Sequence, residues 1–106
     1  QAVVDRLEQL IQPIVETRFI IRSPSTLATG LKRHGVPYNP ALSPSCWLHN
    51  LLKKRHQAVT DFAEFGVEVR DDFSHMSPAQ LAEEMDSQLL LLCEAHQMRY
   101  FPELVT

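Results

Sequence analysis

Two short motifs echo one another, Cys46-x-x-His49 and Cys93-x-x-His96. Three apart on a helix, a thiol and an imidazole point roughly the same way, and two such pairs form the donor set of a tetrahedral Cys2His2 zinc site. The elements that must carry them argue against that use. Cys93 and His96 are expected on the inward face of the last helix, whereas Cys46 and His49 fall nearly opposite the apolar stripe of the third. No metal and no cofactor is therefore assigned; Cys93 reads as a small core residue and His96 as a core histidine. Cys46, at a helix start, is expected to have a lowered pKa. A nucleophile also needs a histidine in reach and a third group to orient it, and the sequence places neither. The glycines are Gly30, Gly35 and Gly66, and none belongs to a phosphate-binding loop. The chain reads as non-enzymatic.

Charge is segregated along the chain. Residues 17–60 hold seven bases (Arg18, Arg22, Lys32, Arg33, Lys53, Lys54 and Arg55) and no acid. Residues 61–106 hold ten acids against Arg70 and Arg99, and the net charge of the whole chain is −3. Three uses of this pattern compete. The two halves can fold against each other as internal pairs. The basic face, around Lys32, Arg33, Lys53 and Lys54, can bind the phosphates of RNA or DNA or of an anionic surface. Or it can meet an acidic partner protein or a second copy. Arg55 stands apart. In a continuous third helix it falls near the centre of the stripe Leu48, Leu51, Leu52, Val59 and Phe62, where a guanidinium needs one of Glu83, Glu84, Asp86 or Glu94. The cluster Glu83, Glu84 and Asp86 otherwise reads as the solvated first turns of the last helix.

The elements themselves are helical. Ser23-Pro24, Ser43-Pro44 and Ser77-Pro78 each join a capping hydroxyl to a proline suited to the first helical position. Gln80, three residues after Ser77, completes a capping box. Gly35 and Gly66 suit the left-handed position that ends a helix. Apolar periodicity supplies the bodies: helices over about 2–16, 24–34, 44–65 and 78–100. Pro13 is expected to kink the first or end it early, and Gly30 weakens the second. In the last, Leu81, Met85, Leu89, Leu92 and Cys93 face inward, while Leu90, Leu91 and Met98 point the other way. Val67-Glu68-Val69 has extended character with no second strand evident. The fold class expected is all-α, a compact bundle of about four helices.

At 106 residues, with 44% hydrophobic and 22% charged, the sequence bounds a single domain over 1–106 and excludes intrinsic disorder. No apolar run approaches the roughly 18 residues of a membrane span. Two cysteines make no disulfide framework, so an intracellular setting, cytoplasmic or nuclear, is expected. With no initiator Met, the chain is expected to be a piece of a longer protein. The segment Glu94-Ala95-His96-Gln97-Met98-Arg99-Tyr100-Phe101-Pro102-Glu103 looks a little like a stretch of the cytosolic N-terminal region of β-1,3-glucan synthases. It covers about a tenth of the chain; the Trp-Gly of that family is here Leu92-Cys93, no catalytic residue lies on it, and an amphipathic helix end accounts for the likeness. The function expected is protein–protein interaction or assembly, through Leu90, Leu91 and Met98 flanked by acids, with a separate basic face. Nucleic-acid binding through the basic block is the alternative.

Overall fold

In the computed structural model, residues 2–97 are described, with side-chain detail from Asp5 onward. Within them lie four α-helices, three 3₁₀ turns and one two-stranded antiparallel sheet. The chain is mostly helical, as expected. Helix α1 spans Ala2–Arg18 and strand β1 Phe19–Ile21; α2 spans Pro24–Arg33 and α3 Pro44–Arg55. Strand β2 is Val67–Val69, and α4 is Pro78–Ala95.

The Ser-Pro pairs start α2, α3 and α4, but the three caps differ in detail. The Ser23 hydroxyl accepts from the Thr26 amide, and Ser77 and Gln80 form the full capping box. Ser43 takes the cap position without a side-chain cap bond; its own amide donates to Glu8 Oε1 of α1 at 2.8 Å. The start of α3 is therefore held by another helix rather than by its own serine.

Four expectations about the elements need correction. Helix α1 does not end at Pro13, which is exposed, but continues past the expected residue 16 to Arg18. The proline ring faces water while Ile14, Val15 and Arg18 keep the helix packed beyond it. Helix α3 ends at Arg55, not at residue 65: Arg55 leaves helical geometry (φ −144°, ψ 37°). Beyond it come a 3₁₀ turn, His56–Ala58, an extended Val59, and a second 3₁₀ turn, Phe62–Phe65, capped by the Asp61 carboxylate on the Ala63 amide at 3.0 Å. A β-branched pair followed by an Asp favours that break over helix interior. Helix α4 stops at Ala95 rather than at 100, with Gln97 at φ 55° in the left-handed position that closes a helix. Finally, β2 does have a partner. Phe19, Ile20 and Ile21 pair with Val69, Glu68 and Val67, in the three residues that follow α1 without a loop.

Helix α3 is central and packs against α1, α2 and α4. The core joins Leu7, Ile11, Ile14 and Val15 of α1 to Leu48, Leu51 and Leu52 of α3 and to Leu81, Met85, Leu89 and Cys93 of α4. Helix α2 lies on the second 3₁₀ turn, where Gly30 meets the Phe65 ring. A Cβ at Gly30 would overlap that ring, with Cε1 at 2.6 Å. The glycine that weakens α2 locally is what lets the aromatic ring dock. Gly66, at φ 66°, accepts from the Arg22 and Ser23 amides at 2.8 and 3.1 Å and ties the sheet to the start of α2.

Gly30→Ala should therefore lower stability, although alanine is the better helix former by about 1 kcal/mol. Overpacking of this kind costs about 1–3 kcal/mol. The urea midpoint should fall, and Phe65→Leu in the same chain should recover part of the loss. A midpoint raised by Gly30→Ala alone would contradict the packing described.

Candidate functional site

A buried guanidinium is built into the apolar stripe of α1. Leu7, Ile11, Ile14 and Arg18 recur at spacings of four, three and four, so the guanidinium projects inward with the aliphatic residues. Arg18 is 8% exposed. Its Nε and Nη2 donate to the two carboxylate oxygens of Glu84 on α4, the second at 2.7 Å, and Nη1 donates to the Ile14 carbonyl at 2.9 Å. The guanidinium carbon lies 4.9 Å from the centre of the Phe73 ring. The buried arginine is thus Arg18, not Arg55, which is exposed because α3 ends there. The signal was the α1 stripe itself, in which Arg18 occupies the next position after Ile14.

A second polar group joins α3 to α4. Asp86 accepts from Lys53 Nζ at 3.0 Å and lies 3.3 Å from His49 Nε2, and His49 is buried. Burial alone would raise the Asp86 pKa. The hydrogen bonds from His49 and Lys53, with the charges behind them, outweigh burial and hold the carboxyl below the usual aspartate value. Glu84 and Asp86 are therefore not a solvated acidic cluster; of that group, Glu83 is the exposed member. Arg22 pairs with Glu68 across the two strands at 2.8 Å, both exposed.

The cysteine and histidine motifs do not converge. Cys46 and His49 are buried in the all-round packed α3 rather than turned away from the core, and Cys93 is buried on α4, while His96 is exposed beyond its end. Among the described residues no three His, Cys, Asp or Glu side chains gather as a metal site. Cys46 is not activated. Burial pushes its pKa up to about 11, against a lowering hydrogen bond from Ser43 and with a small further rise from Glu8.

Two surfaces remain. On α4, Leu90 and Leu91 are the large apolar side chains that stand exposed among the described residues, at 51% and 59%. Met98 lies outside the described residues. On the basic side, Lys32, Arg33, Lys54 and Arg55 are exposed and pair with no carboxylate among the described residues, whereas Lys53 is engaged with Asp86. Helix ends place these cations: Lys32 and Arg33 close α2, and Lys54 and Arg55 close α3, where the macrodipole favours positive charge. No described helix is long and apolar enough to cross a membrane. Compared with protein-family models, curated proteins and solved structures, the chain matches none of them.

The Asp86 carboxyl sets a pH test. Because its folded pKa lies below the ordinary value of about 3.9, its contribution is complete above that value. It is lost as the pH falls from there through the folded pKa, since the unfolded chain takes up the proton first. Asp86→Asn should cost stability at neutral pH, and the gap between the two urea midpoints should narrow at about pH 3. A gap that stays constant or widens would show that the carboxylate is not held by His49 and Lys53 as described.

Proposed function

We propose that the chain is a non-enzymatic, intracellular protein–protein interaction or assembly domain, with the exposed face of α4 as its contact surface. The observation that supports this is the exposed pair Leu90 and Leu91 on a helix whose opposite face already fills the core. At 100° per residue the two leucines border the two sides of one outer face, which a partner helix laid along it would cover.

Panning a displayed library of helical peptides against the chain tests the face directly. Peptides enriched on the wild type should lose at least about tenfold in affinity for a Leu90→Ser/Leu91→Ser chain, the scale of a central contact. Unchanged far-UV circular dichroism and urea midpoint would show that the variant is folded. Enriched peptides indifferent to the double substitution would remove α4 as the surface.

A second reading, nucleic-acid binding, rests on Lys32, Arg33, Lys54 and Arg55, exposed without carboxylate partners among the described residues. Anisotropy of a labelled single-stranded RNA 20-mer separates the two. The α4 reading expects no saturable signal at about 50 mM salt. Micromolar binding that weakens at least ~10-fold by about 200 mM would transfer the function to the basic face. Loss of that binding in Lys32→Glu/Arg33→Glu/Lys54→Glu would then locate it.

A further inference from the structure

We infer that the occupant of the α4 face is a basic amphipathic helix of a partner protein, laid along the stripe Gln80, Glu83, Ser87, Leu90, Leu91 and Glu94. The assignment rests on α4 being an interaction face. At 100° per residue these six side chains fall within an arc of about 100°. All six are exposed, and the arc is opposite the buried Leu81, Met85, Leu89 and Cys93. A whole helix face is thus open along its length, the geometry that a second helix fills. A groove of about 610 Å³ borders its N-terminal half, lined in part by Met76, Gln80 and Glu83.

Charge identifies the partner's chemistry. From Pro78 to Ala95, α4 carries four carboxylates and no Lys or Arg. Glu84 is neutralised by Arg18, and Asp86 by Lys53, with His49 Nε2 3.3 Å away. Glu83 and Glu94 pair with no cation among the described residues. Glu94 also lies in the last turn, where the helix macrodipole disfavours negative charge and no basic residue of α4 offsets it. Arg6 of α1 reaches that end, its Nη2 donating to the His96 carbonyl at 3.5 Å without pairing with Glu94. Two unneutralised acids therefore bracket the exposed leucine pair, about 16 Å apart at 1.5 Å per residue. The complement is a helix with apolar residues opposite Leu90 and Leu91 and Lys or Arg about 11 residues apart, three turns, opposite Glu83 and Glu94. A second copy of α4 brings four more carboxylates and no cation to the contact. An anionic membrane surface is repelled for the same reason.

Three labelled 18-residue helical peptides test this against the whole chain by fluorescence anisotropy. The first has central leucines and two lysines 11 residues apart; the second replaces the lysines with glutamates; the third keeps the lysines and replaces the leucines with serines. The first should bind at least about tenfold more tightly than either of the others. Glu83→Gln/Glu94→Gln should abolish the preference for lysine over glutamate, and Glu83→Lys/Glu94→Lys should invert it. Both positions are exposed, and the urea midpoint of each variant checks its fold. Equal binding of the lysine and glutamate peptides would overturn the basic partner while leaving α4 as an interaction face. Binding of none of the three would remove both. Sedimentation velocity adds two outcomes against the proposal. A dimer lost in Leu90→Ser/Leu91→Ser would assign the face to a second copy. Tenfold tighter peptide binding after removal of residues 98–106 would assign it to the chain's own end.

Discussion

A guanidinium withdrawn from water at the end of α1 is the constraint to which the surrounding elements answer. Arg18 directs donors at both oxygens of Glu84 and at the Ile14 carbonyl, with its guanidinium carbon over the Phe73 ring. Its own carbonyl accepts from the Arg70 amide at 2.9 Å. One residue therefore fixes α1 against α4 through its side chain and against the segment after β2 through its backbone. The strand β1 begins at the very next residue, so the sheet's position follows from where this arginine must lie. Such a pair contributes little relative to an apolar replacement, yet breaking it leaves a buried charge and costs about 3–5 kcal/mol. The interaction acts as a registration device: alternative packings of α4 on α1 strand the guanidinium.

The segregated charge of the sequence takes on a topological meaning here. Arg18–Glu84, Arg22–Glu68, Lys53–Asp86 and His49–Asp86 each join the basic stretch 17–60 to the acidic stretch that follows it. The chain folds its basic half onto its acidic half, and the pairs nearest the core carry the most weight because screening is weakest there. The run Lys53-Lys54-Arg55 is divided by the helix surface: Lys53 reaches α4, while Lys54 and Arg55 face solvent. Among the exposed groups this pairing leaves over are cations at the ends of α2 and α3, and carboxylates at Glu83 and Glu94 along the outer face of α4.

Features governed by local rules were legible in the sequence. The positions of the Ser-Pro starts, the left-handed Gly35 and Gly66, and the inward set of α4 depend on a few neighbouring residues and are where expected, although Ser43 makes no side-chain cap bond. Features that depend on contacts made elsewhere were not. A continuous apolar period from Trp47 to Phe65 reads as one helix, but Val59 and Phe65 reach the core from an extended residue and a 3₁₀ turn. That break moved Arg55 out of the stripe and into water. Periodicity also assigns one buried face to a helix, whereas α3 is surrounded by three others, so Cys46 and His49 are buried on the side assigned to solvent. The strand Phe19–Ile21 was hidden because it directly follows a helix and is defined only by its pairing with Val67–Val69. Of the candidate surface, Leu90 and Leu91 were legible because α4 has a single core face. The engagement of Lys53 was not, since it depends on how α3 and α4 are turned against each other.

Energetics limit what the α4 face can do with its leucines alone. Full burial of one leucine is worth about 1.5–3 kcal/mol, and Leu90 and Leu91 are each already about half covered. Covering the pair therefore yields about 1.5–3 kcal/mol in total. Association costs at least about 4 kcal/mol in lost translational and rotational freedom. Two leucines cannot hold a partner by themselves, so a stable complex has to use the length of the stripe, from Gln80 to Glu94, about 21 Å of helix. Along that length the leucines and the two acids take different parts. The apolar pair supplies affinity that salt does not screen. The carboxylates set which partner approaches and in which orientation, and their pull weakens beyond a Debye length of about 8 Å at physiological ionic strength. A face built this way discriminates by charge more strongly than it binds, which suits an element held near its partner by the rest of an assembly.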